Sequence, residues 1–506
     1  MLKILRVTFA IISIVAITLL FLDFTGVAQG WFGWLARVQF IPALLSLNVI
    51  AILSLIIVTL LFGRVYCSVI CPLGVLQDVV NNVRGWIGKK KKRQNRFKYS
   101  KPQTWLRLAV MTLFIAMIIM GVANVVMTSL ASFIEPYSVY GRIASSLYSP
   151  LYDTGNNLLA DYAESQGSYD YYHVETYTSM PVMIVAVVSL LVVSVMAWLG
   201  GRVYCNTICP VGTILGYLSR YSLLKPVIDT TKCNGCRKCE RNCKATCIDA
   251  KNHNIDYTRC VVCMNCIGKC STGAISYTYR RPKSSVKVVK VAVDKDLNED
   301  RRNFFTIGAM VTAISVAKAT DKTIDGGLAP IVAKAEPQRA VRIVPPGAIS
   351  LSNFESHCTA CQLCITACPN GVLRPSTALS TFMQPVVGYE NGYCRPECVK
   401  CSSVCPVGAI KPISVADKSA IQIGRAVVRL DACIVSSEGK KCGNCVRNCP
   451  SKAITMAPKN PNNIASNMMP VVNEAKCIGC GACEYLCPVR PLSAIYIEGN
   501  HVHKTI

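Results

Sequence analysis

The chain has 506 residues, 52% of them hydrophobic and only 16% charged, with a mean hydropathy of +0.36 and a formal net charge of +26. That length has room for three or four domains rather than one, and the apolar content argues against a wholly soluble chain and for a membrane-embedded part. The positive excess does not require nucleic acid, because much of it is concentrated in the single segment 84–107.

Four stretches, 5–22, 41–62, 106–127 and 180–199, are long and apolar, each close to the ~20 residues that cross ~30 Å of hydrocarbon. The run of lysines and arginines from Lys89 to Lys98 places the loop after the second stretch in the cytoplasm. Segment 131–178 has Arg142 as its only Lys or Arg, against Glu135, Asp153, Asp161, Glu164, Asp170 and Glu175, so it belongs outside. Lys3 and Arg6 keep the N-terminus inside. Residues 1–220 therefore read as a four-span helical bundle in the cytoplasmic membrane.

Within it, Gly63-Arg64-Val65-Tyr66-Cys67 through Cys71-Pro72 recurs as Gly201-Arg202-Val203-Tyr204-Cys205 through Cys209-Pro210. Each copy ends an outside-to-inside span, so the two hairpins are related by a pseudo-two-fold axis along the membrane normal. Positions i and i+4 share a helix face, which predicts four thiols gathered at the cytoplasmic rim. Three readings are open for Cys67, Cys71, Cys205 and Cys209: a metal centre, a redox-active thiol pair, or small apolar side chains packed between helices.

Twenty-four of the 29 cysteines form six quartets. Cys233, Cys236, Cys239 and Cys243 follow C-x2-C-x2-C-x3-C, as do Cys260, Cys263, Cys266 and Cys270, then Cys358, Cys361, Cys364 and Cys368, and finally Cys477, Cys480, Cys483 and Cys487. Cys394, Cys398, Cys401 and Cys405, and Cys433, Cys442, Cys445 and Cys449, stretch the first gap. This is the ligand run of bacterial ferredoxins, in which three thiolates grip one 4Fe–4S cubane and the fourth reaches its neighbour. Zinc sites use C-x2-C pairs separated by longer loops. Cys270 should therefore complete the Cys233, Cys236, Cys239 cluster, and Cys243 the Cys260, Cys263, Cys266 cluster, in an α+β ferredoxin-like domain over 221–283. Cys247 stands outside every quartet and reads as a buried bystander. Six oxidised cubanes at about −2 each would offset about 12 of the positive charges. There is no C-x-x-C-H for haem c and no GxGxxG unit after a strand for a nucleotide.

Asp300 to Ala319, with Arg301-Arg302, Phe304-Phe305 and Ala317-Lys318-Ala319, reads as an internal twin-arginine export signal inside a linker, 284–345. Residues 304–319 would span only ~24 Å as a helix, short for a fifth crossing. Cubanes are assembled in the cytosol and hold their domain folded, so exporting 346–506 with its clusters calls for a route that carries folded cargo.

These motifs resemble a known family. The four spans, the two C-x3-C-P motifs and the two-cluster tail are similar to the membrane iron–sulfur subunit of periplasmic nitrate reductase systems. From about residue 300, the paired arginines, Val344-Pro345-Pro346-Gly347-Ala348 and the cysteine runs in their order resemble the companion four-cluster subunit. The resemblance implies a fusion of two quinol dehydrogenase subunits that draws on the quinol pool and feeds a periplasmic reductase or cytochrome. It also implies that first and fourth motifs share clusters, Cys358, Cys361, Cys364 with Cys487 and Cys477, Cys480, Cys483 with Cys368. The middle motifs would pair Cys394, Cys398, Cys401 with Cys449 and Cys433, Cys442, Cys445 with Cys405. Glu135, Tyr137, His173 and Glu175 are candidate proton acceptors for quinol. A cytosolic donor could supply the inner clusters. Two rivals stand beside this reading: a maturation factor in which the C-x3-C-P thiols handle copper, and a polyferredoxin whose clusters all stay in the cytoplasm.

Overall fold

The computed structural model describes residues 2–23, 25–87, 97–121, 130–168, 171, 173–174, 179–279, 332–459 and 468–506. In chain order, α1 (Leu2–Leu22) leads through α2 (Val27–Arg37) and α3 (Phe40–Leu45) to α4 (Val49–Phe62), the one-turn α5 (Tyr66–Val69) and α6 (Pro72–Ile87). Then come α7 (Thr104–Gly121), α8 (Pro136–Ile143), a π turn over 144–148, α9 (Ser149–Ser165), α10 (Met180–Gly200), α11 (Val203–Thr207) and α12 (Pro210–Ser219). Among the described residues α1 and α10 are long and apolar enough to cross a membrane, while α4 and α7 are shorter apolar helices.

The expected stretch 41–62 is not one helix. α3 stops at Leu45, Leu47 turns to φ 54°, and the Asn48 side chain caps α4 by accepting from the Ala51 amide at 3.2 Å. Asparagine competes with the helix ladder inside a helix and stabilises a start. The stretch 106–127 is helical to Gly121, and its remainder lies outside the described residues, as do the paired arginines at 301–302.

The two repeats interlock. α5 packs on α1 as α11 packs on α7, and each closing helix crosses to the other half, α6 against α10 and α12 against α4. The C-x3-C thiols do not share one continuous helix face. α5 ends before Cys71 because Pro72, the first residue of α6, has no amide hydrogen and forces the preceding residue out of the helical region. Pro210 does the same after Cys209.

The first ferredoxin unit pairs β1 (Leu224–Ile228) with β4 (Ile275–Tyr279) and β2 (Ile248–Asp249) with β3 (Asn254–Ile255). It sits at one end of the helices, where the Leu223 amide donates to Leu60 O at 2.8 Å, the Tyr277 hydroxyl to Phe62 O at 2.8 Å, and Lys3 lies over Gly268. The second unit has three two-stranded sheets: β5 (Leu373–Pro375) with β6 (Pro385–Val387), β7 (Ile421–Val428) with β10 (Ile495–Thr505), and β8 (Ile454–Pro458) with β9 (Met468–Val472). It meets the opposite end of α1, ~30 Å away along the helix. There Lys400 Nζ donates to Thr25 O at 3.1 Å, Arg37 Nη2 to Ser403 O at 2.7 Å, and Phe133 stacks on Phe382 at 6.5 Å.

Candidate iron–sulfur sites and an outer cavity

Short hairpins decide which thiols meet. β2 and β3 turn the chain back between the first two motifs, so one cavity is lined by Cys233, Cys236, Cys239 and Cys270 and another by Cys260, Cys263, Cys266 and Cys243. In the second unit β5–β6 lies between the motifs of 358–368 and 394–405. Cys368 accordingly joins Cys394, Cys398 and Cys401 around one cavity, and Cys405 faces Cys358, Cys361 and Cys364. The β8–β9 hairpin likewise sets Cys449 beside Cys477 and Cys480, and Cys487 beside Cys445, Cys442 and Cys433. Consecutive motifs thus exchange fourth ligands, which corrects the first-with-fourth pairing implied by the resemblance. The physical cause is chain length: a hairpin returns one motif directly onto its neighbour.

The three cysteine-lined cavities are small and alike, about 20 Å³ each. Among the described residues no three His, Cys, Asp or Glu side chains converge as around a single ion; in a cubane each thiolate binds a different iron, and four such thiols on ferredoxin loops fit that group. The second-unit sites also form a row. Cys364 neighbours Cys401, and the Cys394 amide donates to Cys480 O at 2.9 Å. Cys247 is buried, as expected, and its sulfur lies 3.5 Å from Cys243 Sγ on the wall of the same cavity.

Cys67, Cys71, Cys205 and Cys209 are each 3–4% exposed in the shared core, inside the bundle rather than at a rim. The four lie within electrostatic reach of one another. Their surroundings repeat across the pseudo-two-fold. Arg64, fully buried, donates to Cys205 O at 3.1 Å, and Arg202, fully buried, donates to Cys67 O. A Cβ on Gly74 would stand 2.3 Å from Cys67 O, and one on Gly212 would stand 2.1 Å from Cys205 O. Both positions therefore need glycine. The motif thus runs on to C-P-x-G in both copies, a signal legible in the sequence. Arg202 is further held by Asp78 at 2.9 Å.

On the far side of these thiols, α8 carries Glu135 and Tyr137. Glu135 is buried and caps α8, accepting from the Tyr137 amide at 3.0 Å and from the Ser138 amide, and burial raises its carboxyl above the usual range. It lies near Tyr66, Tyr204 and Cys361. Tyr137 is buried beside Cys361 and Cys405. Glu175 lies outside the described residues.

His173 does line a cavity, of about 500 Å³, between the outer ends of α1 and α10 and the Cys368 loop. Leu22, Pro150, Val182 and Met183 form its apolar wall; Ser145, Ser149 and Asp153 come from the π turn and α9. Gln362 enters from the cluster loop, its Oε1 accepting from Ser145 Oγ at 2.6 Å while its buried Nε2 has no partner among the described residues. Asn157 pins the His173-Val174 segment through two bonds to Val174, at 2.8 and 2.9 Å. Asp153 is buried, and desolvation pushes its carboxyl up to about 6. Sequence reasoning treated Asp153 only as one of several loop acids; its neighbours in space set it apart.

Residues 45–94 and 182–228 match a family profile described as a 4Fe-4S binding domain, and 440–490 match a 4Fe-4S dicluster domain. Over 183 residues the chain is 35% identical to the methylamine utilization ferredoxin-type protein MauM of Paracoccus denitrificans, which covers 34% of this chain and 79% of that one. The chain belongs to the ferredoxin-type iron–sulfur proteins. As a ferredoxin-type protein it carries 4Fe–4S clusters and serves electron transfer. It is also 32% identical to the ferredoxin-type proteins NapG and NapF of Escherichia coli K12. These matches cover 32% of this chain with 77% of NapG, and 31% of this chain with 87% of NapF. The chain spans 77% to 87% of the lengths of these three relatives, and 62% of the length of MauM from Methylobacillus flagellatus. No solved structure matches it.

Proposed function

We propose that this ferredoxin-type protein spans the cytoplasmic membrane, oxidises quinol at the outer cavity and delivers the electrons to a periplasmic reductase or cytochrome. On this reading α1, α4, α7 and α10 are the membrane helices, the first ferredoxin unit faces the cytoplasm, and residues 346–506 reach the periplasm by the signal around Arg301 and Arg302. The chain then unites two subunits that the resemblance treats as separate.

The observation that carries the reading is the cavity. Its apolar wall lies at the ends of the two longest apolar helices, where a lipid-borne ring could enter, and its floor is a cluster-ligand loop. Oxidation of a quinol to a quinone releases two protons and two electrons. Clusters bound at the thiol sets supply one-electron carriers beside the cavity. Asp153 lines the cavity, and its carboxyl, raised to about 6, would accept a proton from a quinol hydroxyl. His173, exposed and 3.5 Å from Asp161, provides the outward exit. Gln362 Nε2 offers an unused donor to a quinone oxygen.

Two measurements test this. A reporter enzyme active only in the periplasm, fused after Ile506, should be active; activity only from a cytoplasmic reporter overturns the topology. Anaerobic mixing of the purified protein with a soluble naphthoquinol should bleach the visible cluster absorbance with saturable kinetics. Failure to bleach at any quinol concentration overturns the substrate.

A further inference from the structure

The two ferredoxin units lie at opposite ends of α1, and the four C-x3-C-P thiols stand between them. On one side, Arg64 touches the thiol set through Cys67 Sγ at 3.7 Å and the inner unit through Thr258 O at 3.1 Å, with Cys260 in its electrostatic neighbourhood. On the other, Tyr204 touches Ile134 O at 2.8 Å, and α8 presses on the outer unit so closely that a Cβ on Gly141 would lie 2.5 Å from Cys361 O.

We infer that Cys67, Cys71, Cys205 and Cys209 together hold one iron–sulfur centre, two ligands from each repeat, in the gap between the inner and outer cluster sets. Each stretch that matches the 4Fe-4S binding profile contains only two cysteines, too few for a cluster. The interlocked repeats bring the two pairs together. Charge argues the same way. Arg64 is fully buried and its partners are Asn206 Oδ1, two backbone carbonyls and a thiol. Among the described residues no carboxylate hydrogen-bonds to it, and a buried guanidinium without a directly bonded anion is disfavoured. Four thiolates around an iron–sulfur core carry net negative charge and would compensate it, whereas four neutral packing thiols would not. Donors also point at sulfur, as they do around cluster ligands: Gln77 Nε2 to Cys205 at 3.2 Å and the Gly212 amide to Cys209 at 3.3 Å. The inference is independent of quinol and survives if the cavity proves to bind something else.

The test uses the full chain, purified anaerobically, with iron, copper and acid-labile sulfide measured alongside Mössbauer and EPR spectra. Six cubanes account for about 24 irons at four per cluster; the inference expects more, with matching sulfide and one additional spectral component. Two variants localise it. Cys67→Ala with Cys205→Ala should remove that component and leave the six ferredoxin signals. Gln77→Leu, which keeps all four thiols, should shift the component's midpoint potential and no other. Wild-type protein with fully occupied ferredoxin sites and no extra iron overturns the inference, and so does stoichiometric copper in its place. An additional component that persists in the double variant overturns it as well.

Discussion

Replacing Asp153 by asparagine removes the one buried carboxylate of the outer cavity without changing its shape. With the carboxyl at about 6, the ionised, proton-accepting fraction rises from about 0.1 at pH 5 to about 0.9 at pH 7, a roughly tenfold gain in rate. A carboxyl at its ordinary value of 3.8 would change by only about 6% over the same range. The assay is anaerobic stopped-flow bleaching of the clusters by naphthoquinol from pH 5 to 8, in wild type and Asp153→Asn. The variant should lose the step near pH 6 and run about 10²-fold slower at pH 7, the lower end of general-base effects. The remaining lining groups that titrate or carry charge are His173, Arg374, Arg395, Tyr393, Tyr485 and the cluster-ligand thiol Cys368, and none of them is altered. Stability supplies the control. A carboxyl raised by burial stabilises the fold fully below 3.8 and loses that contribution as pH rises through about 6. Asparagine should therefore raise Tm at pH 7.5 and not at pH 4. Identical pH profiles in the two proteins would refute the role assigned to Asp153.

Three further outcomes follow from the packing. Gly74→Ala forces a methyl against Cys67 O and should cost about 1–3 kcal/mol, read as a lower Tm in detergent; Gly212→Ala should match it, and an unchanged Tm for either contradicts the pseudo-two-fold. Arg202→Gln leaves Asp78, which is 4% exposed, with Arg6 and Lys244 as its remaining cations. The loss should stay below the about 3–5 kcal/mol of a buried charge left wholly unpaired, and adding Asp78→Asn should cost less than the sum of the two single changes; an additive double variant counts against the pair. Cys405→Ser should alter the same EPR signal as Cys361→Ser, and Cys487→Ser the same one as Cys442→Ser. If Cys487→Ser instead perturbs the Cys361 signal, the fourth ligands are shared between first and last motifs after all.

Much of this protein is written in local spacing. C-x2-C-x2-C-x3-C needs only one short loop to present three thiols to a cubane, so the ferredoxin motifs are legible from residues such as Cys358, Cys361 and Cys364 without any fold. The duplicated G-R-V-Y-C motif announces two equivalent hairpins for the same reason. Which thiol completes which cluster is a different matter, because Cys405 and Cys487 are placed by hairpins that close through space. Glu135 and Asp153 are both acids in one loop by sequence. Burial then makes one a helix cap beside the thiol core and the other part of a cavity lining, and burial depends on everything packed around it. Likewise no spacing rule could show that Arg64 reaches Cys205 and Arg202 reaches Cys67. That exchange exists only because two halves of the chain fold across each other, bringing residues about 140 positions apart into hydrogen-bond contact.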